Sequence, residues 1–372
     1  MKIGCALFAL LSLLLCSCGS DRAHPATLPV SLNPIGSHPL VYGFAEGRKL
    51  TLTPDTGAAQ DLVIFKHTAQ DLGLSALKSV FLNEVPIHLT YGPYDEDGFS
   101  EAYVLDAPVS EFDGLIGWPE IQRGVWQINL SARSHGFHAA VPNYVKRWKS
   151  LKILPDERIL RVQTPEGLIA VIDTGASRAI HLDKDIFERW MKMHPDSPVS
   201  LYAGYSPAAR KGYFAKRCMR SDAYQLGPII FNQVMIYESF AEVAGPGQLY
   251  DIDLLIGLEA FGNREIWIDG PGQRLYVSPP REGRWSPGRV SLVRAAFVPD
   301  EDGKLMARVL SGGAADKAGL QENDELVSIG GTRRFDDADL KAILSKPGKR
   351  ASILIRRKGR VRRLTWTVPA TF

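Results

Sequence analysis

Val171-Ile172-Asp173-Thr174-Gly175-Ala176-Ser177 is an apolar run that ends in a small turn carrying one carboxylate. Val171 and Ile172 favour a strand, and Gly175 tolerates backbone angles that a side chain would forbid. Such a turn holds a carboxylate against the backbone at the end of a buried strand. The same four residues recur as Asp55-Thr56-Gly57-Ala58 in the first half of the chain. Each copy has a later partner, Asp113-Gly114-Leu115-Ile116-Gly117 and Asp253-Leu254-Leu255-Ile256-Gly257. The doubled order predicts two related β units, each contributing one aspartate.

This pattern resembles the aspartic peptidases, specifically retropepsin-like lobes fused into one pepsin-like chain, over roughly residues 40 to 280. The resemblance implies a mainly β protein with a bilobed acid-protease fold, two retropepsin-like β-barrel lobes. It implies Asp55 and Asp173 as catalytic residues sharing one proton across the pair. One would act as general base on a water while the other donates to the scissile carbonyl. Thr56 and Thr174 would link the two turns through their hydroxyls, and Gly57 and Gly175 would permit the tight turn. Tyr91, Trp118, Tyr205 and Tyr213 are the candidate flap or cleft residues. Pro54 stands where the family has another apolar residue.

Rival chemistries lack their motifs. There is no His-Glu-x-x-His zinc pattern, no Gly-x-Ser-x-Gly elbow and no phosphate-binding glycine loop. His135 and His138 lie in a turn-rich segment without partners and read as surface residues. Cys218 sits among basic residues that could lower its pKa, yet it has no identifiable histidine partner. No metal and no cofactor is expected.

At 372 residues the chain is too long for one ordinary core. A formal charge of +3 gives no sign of nucleic acid, and a monomer is expected. Lys2 and the apolar run Ala6 to Leu15 read as a secretory signal over residues 1–17. Leu15-Cys16-Ser17-Cys18 resembles a bacterial lipobox, with Cys18 the lipidated residue. Residues 18–39 then form a tether, which predicts a membrane-anchored lipoprotein facing the periplasm, on the outer rather than the inner membrane. Only Cys218 would remain a free thiol, so no disulfide scaffold is expected.

The first lobe is expected over residues 40–150, with a turn-forming acidic stretch from Tyr91 to Gly98 as flap or hairpin tip. A short helix within Asn143 to Lys152 would bridge to the second lobe, residues 151–280. There Ile186, Phe187, Trp190 and Met191 form one apolar helix face behind an Asp183 cap, and the second flap lies near Tyr205 to Tyr213. A charged, proline-rich boundary separates off residues 288–372. Ser311-Gly312-Gly313-Ala314-Ala315 through Ala318-Gly319-Leu320 to Asn323-Asp324-Glu325-Leu326 resembles a bacterial PDZ domain. The resemblance implies a groove that takes a C-terminal peptide by strand addition, with Ala295, Ala296, Phe297 and Val298 as its carboxylate loop and residues 337–344 as its helix. That loop has no glycine. Lys346 to Arg363 contains no acidic residue and reads as a solvated hairpin, or as a surface for anionic lipid headgroups. The sequence thus points to a peptidase acting on a protein or peptide substrate. The alternative is a PDZ-bearing binding lipoprotein that no longer cuts.

Overall fold

The computed structural model describes residues 41–370 apart from 46, 75–82, 92–98, 106–111, 130–133, 156–157, 165–166, 177, 206–212, 240–252, 282–290 and 334–336. The expected signal, Cys18 and the tether lie outside these residues. The chain is mainly β.

The N-terminal unit runs through β1 (Val41–Ala45), β2 (Arg48–Asp55), β3 (Leu62–Phe65), α1 (Lys66–Asp71), β4 (Asn83–Tyr91), β5 (Phe99–Leu105), β6 (Gly114–Gly117) and α2 (Trp118–Ile121). Its strands close a barrel in the order β1-β2-β6-β3-β5-β4. Strands β7 (Val125–Asn129), β8 (Ser134–His138) and β9 (Lys149–Lys152) follow. The central unit comprises β10 (Arg161–Gln163), β11 (Ile169–Asp173), β12 (Ile180–Leu182), α3 (Lys184–Met193), β13 (Val199–Tyr205), β14 (Tyr213–Leu226), β15 (Ile229–Glu238), β16 (Leu254–Gly257) and α4 (Leu258–Phe261). Its sheet order, β10-β11-β16-β12-β15-β14-β13, repeats that of the barrel and adds one strand. The expectation of two barrels therefore holds for the first unit only. In the central unit β13 occupies the edge of β14, from Val199 opposite Met219 to Tyr205 opposite Tyr213, where β4 meets β1 in the barrel.

The repeat extends to register. β2 runs parallel to β6 with Asp55 beside Gly117, and β11 runs parallel to β16 with Asp173 beside Gly257. The apolar residues between them are buried on both faces, as a strand flanked on each side requires.

A third sheet, β8-β7-β17-β18-β9, joins the two units through β17 (Glu265–Asp269) and β18 (Arg274–Val277). β7 and β17 pair antiparallel from Glu265 opposite Asn129 to Asp269 opposite Val125. The bridging helix expected here is only a single 3-10 turn, Val145–Arg147. Val145 packs with Val125, Val141 and Trp267, and the next residues extend to pair with β18, which leaves no room for further turns. The core of both units is continuous.

The C-terminal unit has its own core. It contains β19 (Ala295–Pro299), β20 (Leu305–Val309), α5 (Ala314–Lys317), β21 (Glu325–Ile329), α6 (Asp337–Ser345), β22 (Arg350–Arg357) and β23 (Arg360–Thr367), in the sheet order β19-β20-β21-β22-β23.

Candidate functional site

The ends of β2 and β11 bring the two Asp-Thr-Gly turns together. The Thr56 amide donates to Thr174 Oγ1 at 3.1 Å, and the Thr174 amide donates to Thr56 Oγ1 at 3.0 Å. Each hydroxyl in turn donates across the junction, Thr56 to the Ile172 carbonyl at 2.6 Å and Thr174 to the Pro54 carbonyl at 2.8 Å. All four bonds are buried. Pro54 fits because its carbonyl, the one backbone hydrogen-bonding group it has, is the acceptor used.

The aspartates are equally fixed. Gly57 N–H donates to Asp55 Oδ1 at 2.9 Å, while Gly175 and Ala176 N–H donate to Asp173 Oδ1 at 2.9 and 3.0 Å. A Cβ on Gly57 would lie 2.7 Å from Asp173 Cγ. Gly57 thus lies against both carboxylates. Asp55 and Asp173 are 0% and 1% exposed, so solvent does not shield one from the other.

The later partners hold these turns in place. A Cβ on Gly117 would sit 1.8 Å from the Gln60 carbonyl, and one on Gly257 would sit 2.0 Å from the Arg178 carbonyl. Only glycine admits that approach. The amides of Trp118 and Leu258 donate to the carbonyls of Ala58 and Ala176 at 2.9 and 2.8 Å. Sequence reading missed the part played by Asp113 and Asp253. Their carboxylates accept from the amides of Thr51 and Ile169, each at 2.7 Å, and so set the register of the parallel pairs. Their repeated place in the motif was the available signal.

The candidate cleft residues are dispersed. Trp118 is 2% exposed and belongs to the core rather than a cleft. Tyr205 and Tyr213 are register partners that close the β13–β14 hairpin. Tyr91 ends β4, whose place in the sheet is that of β14. The rest of the expected flap, residues 92–98, lies outside the described residues, and the strands that flank it, β4 and β5, hold the places of β14 and β15.

Behind that hairpin lies a buried polar cluster. Arg178 Cζ stands 4.6 Å from the ring centre of Tyr202 and 5.1 Å from that of Tyr237, and Arg178 Nη2 donates to the Ala203 carbonyl at 3.1 Å. Burial, with a smaller contribution from Arg178, holds His181 down to about 3. Burial likewise pushes the Cys218 thiol up to about 12, so the basic neighbours noted in the sequence do not activate it. Burial opposes ionisation of Glu238, but Arg217 hydrogen-bonds it at 2.9 and 3.0 Å and keeps its carboxyl below the usual range. His135 and His138 lie on β8.

In the C-terminal unit Asn323 adopts φ 63°, the left-handed turn that its side chain tolerates. Asp324 is 1% exposed and is clamped by Arg357, Nε to Oδ1 at 2.6 Å and Nη2 to Oδ2 at 2.5 Å. The expected carboxylate loop, Ala295 to Val298, is instead part of strand β19, and Arg294 just before it takes φ 55°. Ala295, Ala296, Phe297 and Val298 are all buried on β19, the edge strand, with α6 as the helix of the expected groove. No curated protein matches the chain. Residues 306–357, from β20 through β22, match the family model of the PDZ domain, and the C-terminal unit carries this peptide- and partner-recognition module.

Proposed function

We propose that the chain is an aspartic endopeptidase of bilobed retropepsin-like fold, whose PDZ domain recruits a peptide or protein partner. The observation that carries the reading is the reciprocal Thr56–Thr174 junction, which sets two buried carboxylates on either side of Gly57. Two such groups do not both ionise cheaply, so the pair holds one proton between them. The ionised partner takes a proton from a water that attacks the scissile carbonyl. The protonated partner gives its proton to the carbonyl oxygen, and the amine leaves after receiving one back from the dyad. The Thr56 and Thr174 bonds keep the two turns joined through both steps. On this reading the enzyme is an exported lipoprotein anchored through Cys18 and facing the periplasm.

Cleavage of casein and of a random peptide library by wild type, Asp55→Asn and Asp173→Asn tests the proposal. Each variant should keep its thermal transition and lose at least about a thousandfold in rate. Activity that survives either substitution removes the dyad from the mechanism. The PDZ match favours a second reading, a partner-binding lipoprotein without catalysis. An inactive wild type that still captures free-carboxylate peptides would select it.

A further inference from the structure

β19 pairs with β20 on one side and, among the described residues, has no strand partner on the other. An edge strand of this kind ordinarily leaves one side open to water or a ligand. Here all five residues are buried. Ala295 and Phe297 face the core of the PDZ unit. By strand alternation Ala296 and Val298 point the other way, yet they are only 2% and 4% exposed and are no part of that core. Strands β13 and β14 of the central unit pack against β19.

The contact is anchored at Ser291. Ser200 on β13, itself 1% exposed, donates its hydroxyl to the Ser291 carbonyl. The Ser291 hydroxyl donates to the Leu344 carbonyl near the end of α6 and accepts from the Val293 amide at 3.2 Å. One residue therefore ties β13 to α6 and to the segment that leads into β19. Three residues farther along β13, the Ala203 carbonyl holds Arg178, whose own carbonyl abuts Gly257 beside Asp173.

We propose that the PDZ edge strand β19 is docked in cis on the β13–β14 hairpin, and that an extended peptide entering the PDZ groove must displace this hairpin and so loosen the Asp173 turn through Arg178. The partner is an extended segment with a free carboxylate, met by strand addition on β19 and by Arg294 at its head. The cis contact lowers its apparent affinity by the fraction of molecules in which β19 is free. Only the link to cleavage rests on the peptidase reading; the docking does not.

Hydrogen–deuterium exchange on the full chain tests the contact. Ser200→Ala removes one buried bond and should raise exchange at residues 199–205 and 295–299 together by about fivefold. Ser200→Arg should raise both by more and also raise exchange at the Gly175 and Ala176 amides of the Asp173 turn, with 350–357 at wild-type rates. Exchange that rises in 199–205 alone, or in neither segment, overturns the docking. Should Ser200→Arg unfold, Ser200→Ala decides. A pool of random octapeptides with free carboxylates should bind Ser200→Arg, or Ser200→Ala in its place, measurably more tightly than wild type. For Ser200→Arg the expected gain is at least about tenfold. Equal affinity, including no binding to either, refutes the competition. Neither arm needs a working dyad, so an inactive wild type would count against the peptidase and leave this inference intact.

Discussion

Replacing Thr174 by valine keeps the shape of the side chain and removes two buried hydrogen bonds at the junction of the turns. The Thr56 amide loses its acceptor, at 3.1 Å in the wild type, and the Pro54 carbonyl loses its donor, at 2.8 Å. Both groups stay buried, because Thr56 and Pro54 lie in a fully enclosed strand end. Leaving a buried polar group unsatisfied costs about 1–2 kcal/mol, so Thr174→Val should lower stability by about 2–4 kcal/mol. Thr174→Ser retains the oxygen and should cost less than about 1 kcal/mol. Urea denaturation followed by tryptophan fluorescence reads both, since Trp118, Trp126 and Trp267 are buried in the two units and their shared sheet. Thr56→Val acts on the same joint, and the double variant should fall short of additivity by at least about 0.5 kcal/mol. A Thr174→Val cost below about 0.5 kcal/mol, or a serine variant as unstable as the valine one, would refute the idea that these hydroxyls hold the turns together.

Two further outcomes follow from buried charge. His181 titrates near 3 when folded against an ordinary 6.5, so below pH 6.5 the unfolded chain takes up a proton that the folded chain resists. Stability is therefore full above pH 6.5 and is lost as pH falls toward 3; His181→Gln should remove a loss of about 3 kcal/mol between pH 6.5 and 4, and parallel melting curves for both proteins over that range would exclude it. Arg357→Ala leaves the carboxylate of Asp324 buried with its guanidinium partner gone, and should destabilise the PDZ unit by about 3 kcal/mol. Exchange should then rise in 325–329 and 350–357 while 169–173 keeps its rate; an unchanged PDZ unit would show that the pair is held no better than a surface one.

The repeat was legible because it is written twice in the same order and with the same residue types. A buried parallel strand pair needs the apolar run, the turn needs Gly57 and Gly175, and the close carbonyl contacts need Gly117 and Gly257. The roles of Asp113 and Asp253 were hidden, since a carboxylate accepting one backbone amide leaves no mark beyond its position. Cys218 reads as inert from its lack of a histidine partner, and the structure adds the reason local sequence does not show, a burial that overrides the neighbouring charges. The open central sheet and the β13–β19 contact depend on residues far apart in the chain, and composition carries no trace of them. Asp183 and its helix were plain: the side chain accepts from the Asp185 amide at 2.9 Å, and Phe187 turns inward.

The pairing of β7 with β17 bears on how a polypeptide could reach the carboxylates. The strand that leaves each half is stitched to the other by a full antiparallel ladder. Glu265 reinforces it, accepting from Gln127 at 2.8 Å, Asn129 at 3.0 Å and the indole of Trp267 at 2.7 Å. Swinging the halves apart would break that ladder and the threonine junction at once. Entry by a jaw-like opening of the whole body is therefore expensive. On the proposed peptidase reading a substrate is therefore threaded in rather than admitted by a hinge, which selects for unfolded or extended segments over folded ones.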